Sequence, residues 1–444
     1  MKRRHVLGLV GSGALLWVGD AFAQPKKAGA PKKPAGPSPD AAKAAPKEAA
    51  KPVGERLALV GATLLRAGEA PLVDAVVVVE NGHIASIGTD PSAAAGAKTL
   101  ELRGKLVSGG LIDPLTRVGV TEVDLEDVGR EDALSNEQAV SAGFAVADGY
   151  DPSSPIVAIT RREGLTSVGV LPVEGLVAGQ SAWADLDGET PSQALTNRSL
   201  ALHILLDDYA VGHAKVNHAT ALYQLRELFD DANAFREKRE DFEKRQLREL
   251  AASRRDLEVV VRALEGKLPV VFHVDRASDI LNVLAFAKAY KLRAVVASAA
   301  EGWKVAGELA AAKVAAIVYP LDEGPRDLVA RAAREDNAAL LSKAGVLVAM
   351  STGESHNARK LRQCAGNAVR AGMPHAAAIA AVTDAPARIF GLEAYGSPKV
   401  GRVANLAVWS GDPLEVSSRC ERLVIRGREV SLRSRQTALF EKYR

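Results

Sequence analysis

In Val271-Phe-His273-Val-Asp275 an imidazole and a carboxylate stand two residues apart, and strand alternation sets both on one face. A second run, Gly104-Lys-Leu-Val-Ser-Gly-Gly-Leu-Ile-Asp-Pro-Leu-Thr-Arg-Val-Gly119, opens at a glycine turn and continues as an apolar strand from Leu106 to Ile112. It then offers Asp113, Leu115, Thr116 and Arg117 where that strand is expected to stop. A guanidinium cannot lose its proton, so Arg117 at a barrel mouth requires a carboxylate or an anionic ligand. Asp275 is the preferred partner, with Glu301 and Glu354 as alternatives; the other reading makes Arg117 a solvent-facing loop residue. In the first reading Arg117 ties strand ends together through a bidentate pair. Alternatively, His273, Asp275, Glu354 and His356 form a relocated metal site, which would take zinc.

Those side chains need strands to aim them. A strand apolar on both faces suits a parallel sheet with helices outside it, and 270–274, 294–298, 315–319 and 346–351 are further strands of this kind, alternating with helical runs. Such βα alternation predicts a (β/α)8 TIM barrel, whose functional groups lie at the C-terminal strand ends. Short strands also occur at both ends of the chain, the first set with an Asn81-Gly82 hairpin turn. They predict a small β-sandwich domain from 57–112 and 397–432, with 113–396 as the barrel. The segment 219–268 lacks Gly and Pro until Gly266 and is rich in charge, which predicts a helical insertion, either a helix pair on the barrel rim or a partner-binding or dimerising arm.

Several phrases together resemble the amidohydrolase superfamily, in particular its imidazolonepropionase-like branch. They are Gly110-Leu-Ile-Asp113, Gly164-Leu-Thr-Ser-Val followed by Leu171-Pro172, Val271-Phe-His-Val-Asp-Arg-Ala-Ser-Asp-Ile280, and Gly401-Arg-Val-Ala-Asn-Leu-Ala-Val-Trp409. The resemblance implies a hydrolase of non-peptide C–N bonds in cyclic amides or related compounds. Its metal is held by a His-x-His pair, two further histidines and an aspartate. At the matching positions this chain has Leu115 and Arg117 for the pair, then His273, Ser298 and Gly353. Only His273 retains a ligand type, so the resemblance implies a lost metal centre and no cofactor. His203, His213 and His218, near the helical insertion, are expected at the surface.

The first 23 residues have the form of an export signal, with Lys2-Arg3-Arg4, an apolar run from Val6 to Val18 and Ala21-Phe-Ala23 before Gln24. The arginine pair is compatible with twin-arginine or general export, so a periplasmic or secreted protein is expected. The apolar run is too short to span a bilayer, so no transmembrane segment is expected after cleavage. Residues 24–56 are rich in Pro, Ala and Lys and read as a disordered tether. The chain carries 57 basic and 54 acidic residues for a net +3. Removing 1–23 takes away three basic residues and one acidic residue, leaving about +1, which gives no argument for nucleic acid. Cys364 and Cys420 are read as separate thiols, a disulfide being the alternative. No P-loop, dinucleotide fingerprint or Gly-x-Ser-x-Gly is present. The readings are therefore a ligand-binding pseudoenzyme for a small anionic or carboxamide compound, an active C–N hydrolase with a rebuilt or metal-free site, and an envelope interaction protein. A homo-oligomer is compatible with each.

Overall fold

A computed structural model describes residues 56–123, 131–133, 139–206, 217–246, 248–322, 324–325 and 330–444. The export signal and nearly all of the tether lie outside these residues, as does His213.

The chain begins with β1 (Leu57–Leu64), β2 (Leu72–Glu80), β3 (His83–Gly88), β4 (Lys98–Glu101) and β5 (Leu106–Gly109). Asn81 and Gly82 both take positive φ between β2 and β3, the backbone that a two-residue hairpin demands. The barrel-type part follows as β6 (Leu111–Thr116), β7 (Leu165–Val170), β8 (Val177–Gln180), β9 (Ala182–Asp185), β10 (Leu195–Asn197) and β11 (Leu202–Leu205). It continues with β12 (Val270–Val274), β13 (Ala294–Ser298), β14 (Ala315–Val318) and β15 (Val348–Met350). The chain then returns to its first sheet with β16 (Leu406–Trp409), β17 (Cys420–Ile425) and β18 (Arg428–Val430). The fold is mixed α/β.

Strands from both ends form one eight-stranded sheet in the order β18-β17-β16-β5-β1-β2-β3, with β4 also on β1. The strands expected to form the composite domain pair continuously with one another. Period-two alternation separates the faces of this sheet. Leu406, Val408 and Val424 join a core with Leu59, Val77 and Ile84, whereas Ala407, Trp409, Leu423 and Ile425 face the main core.

The single strand expected from Leu106 to Ile112 is divided between two sheets. β5 pairs with β1 and β16, and β6 pairs in parallel with β7. The crossing is at Gly109-Gly110, where a Cβ would come 2.6 Å from the Gly396 carbonyl at one residue and 2.2 Å from Thr166 at the next. No side chain fits there. The barrel strand therefore starts at Leu111 and carries Asp113, Leu115 and Thr116 inside it rather than past its end.

The barrel-type strands pair as β10-β9-β7-β6 and as β15-β14-β13-β12-β11-β8. Neighbours from β11 to β15 run parallel in register, with His273 opposite Ala297 and Val274 opposite Ser298. The described strands do not pair as one closed ring. At one gap Ser181 and Leu200–Ala201 exchange backbone hydrogen bonds of 2.8 and 2.9 Å. The other gap, between β6 and β15, is crossed by side chains. Inward positions Ile112, Leu115, Val271, Val295, Ala297, Ile317 and Ala349 form an apolar cluster between the strands. Outward positions Phe272, Val296, Val318 and Met350 pack toward the helices.

Between β11 and β12 the chain forms helices His218–Glu237, Arg239–Glu243 and Arg254–Leu264 in the segment expected to be a helical insertion. Their apolar stripes, including Leu225, Phe229, Phe235, Leu257 and Val260, are buried in the main core. This is therefore a crossover packed on the strands, with Phe229 edge-on to Phe286 at 5.1 Å.

A buried polar seam joins the two-ended sheet to the barrel-type strands. Asp185 at the end of β9 is fully buried. It accepts from Ser167 Oγ at 2.7 Å, Tyr395 Oη at 3.1 Å and Asn405 Nδ2 at 3.4 Å. Arg426 Nε lies 3.0 Å from its Oδ2 without the alignment of a hydrogen bond, so that contact is Coulombic. Asn405 occupies the position where the family phrase has Asp. Its carbonyl accepts from the Arg426 amide at 2.8 Å while its NH2 donates to Ser167 and Asp185, a division that a carboxylate cannot make.

Candidate functional site

Asp113 bridges β6 and β15. Its Oδ2 accepts from Thr352 Oγ1 at 2.7 Å and from the Thr352 amide at 3.1 Å; its Oδ1 meets the Leu115 amide at 3.3 Å and Ser351 Oγ. Proton counting decides its state. Ser351 Oγ also lies 2.7 Å from the Leu115 carbonyl, yet a hydroxyl has one proton for those two acceptors. If Asp113 is a carboxylic acid, its proton goes to Ser351 Oγ and the Ser351 proton goes to Leu115 O, so every group is satisfied. Burial works in the same direction. It lifts the Asp113 carboxyl to about 6, against the lowering effect of the Ser351 and Thr352 hydrogen bonds.

His203 on β11 is fully buried, and its Nδ1 lies 3.0 Å from Nε2 of His273 on β12. The surface position expected for His203 is corrected. The residue belongs to the apolar run Leu200-Ala-Leu-His-Ile-Leu-Leu206, a barrel strand like those around it, and that run was the available signal. Burial pushes both imidazoles down, His273 to about 4 and His203 well below its ordinary range, where the charge of His273 also opposes protonation. A neutral pair has one N–H for the shared bond. His203 Nε2 is buried without a partner, and an orphaned acceptor costs less than an orphaned N–H. His203 Nδ1–H therefore donates to His273 Nε2.

Asp275 follows β12 and accepts from Ser298 Oγ at 2.5 Å and from the Ala300 amide at 3.2 Å. Ser298 and Ala299 both hold positive φ, of 68° and 49°, a backbone that side chains disfavour. The Asp275 carboxylate supplies the acceptor that keeps this bend. Glu301, buried beside it, accepts from the Ala277 amide at 3.2 Å and pairs with Lys304 at 3.0 Å.

Arg117 meets Glu354, one of the alternative partners expected for it, across a contact of 3.7 Å. The Arg117 amide also donates to the Glu354 carbonyl at 3.1 Å. Leu115 is fully buried in the apolar interior. Gly353 has positive φ and lies against the Tyr319 ring, and His356 is exposed on a short turn, His356–Lys360. The relocated set His273, Asp275, Glu354 and His356 is not brought together. Cys364 is buried and Cys420 partly so, and the two are not joined in a disulfide.

A catalytic zinc takes about three protein ligands. The fold raises the number of imidazoles from one to two by adding His203. Among the described residues, however, no three His, Cys, Asp or Glu side chains are placed to hold an ion. The donor set does not fit the metal that the family uses.

No protein-family model matches the sequence, and no curated protein does. Solved structures do. An amidohydrolase from Thermotoga maritima is 25% identical, with TM-score 0.76 over 85% of this chain and 100% of that one. Molinate hydrolase is 17% identical, with TM-score 0.55 over 86% and 95%. An adenosine deaminase from Xanthomonas campestris with bound zinc is 16% identical, with TM-score 0.53 over 88% and 97%. On this chain-long similarity, together with the strand phrases that carry it, the protein belongs to the amidohydrolase superfamily.

Proposed function

We propose that the chain is an exported, ligand-binding amidohydrolase-like protein that has given up metal-dependent hydrolysis. In this reading a closed (β/α)8 barrel with a composite β-sandwich presents its C-terminal strand ends to a small anionic or carboxamide compound. One observation carries the proposal. Three side-chain couples link neighbouring strand ends: Asp113 with Ser351 and Thr352, His203 with His273, and Asp275 with Ser298. Each spends on a partner strand the donors and acceptors that would otherwise converge on an ion.

The cheapest test is metal content of the purified mature protein, with its melting temperature in and out of chelator. Metal well below one per chain, with an unchanged melting temperature, is the expected result. Stoichiometric zinc whose removal lowers the melting temperature would end the reading.

A second reading, a C–N hydrolase with a rebuilt site, draws on the imidazole pair. Two nitrogens 3.0 Å apart also suit two ligands of one ion. It requires a third ligand, and the same metal analysis decides between the two.

A further inference from the structure

The sequence offers no basic face, yet folding makes one. A cavity of about 530 Å³ is lined by Arg162, Arg362, Arg419 and Arg433, with Val416 and Leu432 as its apolar wall. These arginines come from the turn before β7, the helix Leu361–Arg370, the start of β17 and the segment after β18, so no sequence window contains them. An adjoining hollow of about 340 Å³ shares Arg362 and Val416 and adds Arg359 and Lys360.

The charge in the cavity is not neutralised from within. Glu163 is its only acidic lining residue among the described residues, and it is committed to Arg362 at 2.7 Å. Arg433 pairs with Glu441 outside the cavity. Arg162 and Arg419 have no carboxylate partner among the described residues. The remaining titratable lining group, Cys420, is pushed up to about 12 by burial and adds no negative charge. Arg362 is fixed in place. One of its NH groups donates to the carbonyls of Pro413 and Glu415 at 3.1 and 3.2 Å, and the guanidinium lies 5.4 Å from the centre of the Trp409 ring.

We infer that this cavity binds a small organic anion with two or more phosphate or carboxylate groups and an apolar portion. The planar fork of arginine suits such groups, the volume falls in the range of small-molecule sites, and Val416 and Leu432 receive the apolar part. Arg162 and Glu163 immediately precede β7, so the cavity lies toward the N-terminal strand ends, away from the rim that holds His273. It is therefore independent of the proposed function above.

Calorimetric titration of the full mature chain with pyrophosphate and, separately, with citrate tests the inference. Saturable binding of at least one is expected, and whichever binds tighter separates phosphate from carboxylate recognition. The double variant Arg162→Gln/Arg419→Gln should weaken it about tenfold or more, the loss of one or two charge-assisted hydrogen bonds. Lys288→Gln/Arg388→Gln removes the same charge from exposed positions elsewhere and should leave binding unchanged. Both variants change exposed or half-buried side chains, and unchanged melting temperatures confirm that they fold. Absence of saturable binding for both anions, or equal loss in the two variants, overturns the inference.

Discussion

Two buried aspartates hold this molecule together by opposite means. Asp113 and Asp185 are each fully buried, and burial drives both carboxyls upward. Around Asp185, among the described residues, stand donors and a guanidinium: Ser167, Tyr395, Asn405 and Arg426. Around Asp113 there is no cation among the described residues, and the Ser351 hydroxyl already has a second acceptor to serve. The first site suits a charge and the second, below about pH 6, a proton. A buried carboxyl is tolerated either way, provided that its neighbours count out correctly.

The largest effect is expected where a charge would lose its counterion. Arg426→Met leaves Asp185 buried beside neutral donors and should cost about 4 kcal/mol in urea unfolding. A loss under about 1 kcal/mol would mean that Asp185 carries a proton too, and the contrast would collapse.

Next comes Asp113. Replacement by Ala strands the Thr352 and Leu115 donors and should cost about 3 kcal/mol, whereas Asp113→Asn keeps a donor toward Ser351 and an acceptor toward Thr352 and should stay within about 1 kcal/mol. The pH profile sharpens this. Asp113 is raised from 3.8 to about 6, so its contribution is full below about pH 4 and is lost as pH rises through about 6, roughly 3 kcal/mol in all. His273 is lowered from 6.5 to about 4, so its contribution is present above about pH 6.5 and is lost, by a similar amount, as pH falls toward 4. In the wild type the two slopes oppose each other over this window. In Asp113→Asn only the histidine slope remains, so urea midpoints at about pH 4.5 and 6.5 should differ more in the variant than in the wild type. Equal differences would show that Asp113 is ionised throughout.

Asn405→Asp restores the residue of the family phrase and should nonetheless destabilise by about 2 kcal/mol, because it sets a second carboxylate against Asp185 and removes a donor. The smallest effect belongs to Arg117→Gln. Its 3.7 Å contact with the half-exposed Glu354 is a weak pair, and the loss of that pair should cost at most about 0.5 kcal/mol. A larger loss would give Arg117 the structural role that the sequence suggested.

Much of this was legible beforehand because backbone grammar is local. Asn81-Gly82 marks its hairpin, the apolar runs mark the parallel strands, and the family phrases fall on β6, β7, β12 and β16. The site was legible only in part. Leu115, His273, Ser298 and Gly353 could be read as a depleted ligand set, but what took the place of the ligands could not. The bond from His203 to His273 spans 70 residues and that from Asp113 to Thr352 spans 239, and no local pattern encodes either distance. The pairing of Arg117 stayed open for the same reason: the carboxylate that meets a guanidinium is chosen by where strand ends point, and Glu354, one of the alternatives, lies 3.7 Å away.

The sequence by itself determined the alternation of strand and helix, the turn glycines and the identity of the side chains at each strand end, since these depend on steric and hydrophobic preferences within a few residues. Tertiary structure alone decided which of those side chains meet. Buried hydrogen-bonding groups must be satisfied by whatever stands within about 3 Å, and in this fold that neighbour comes from another strand.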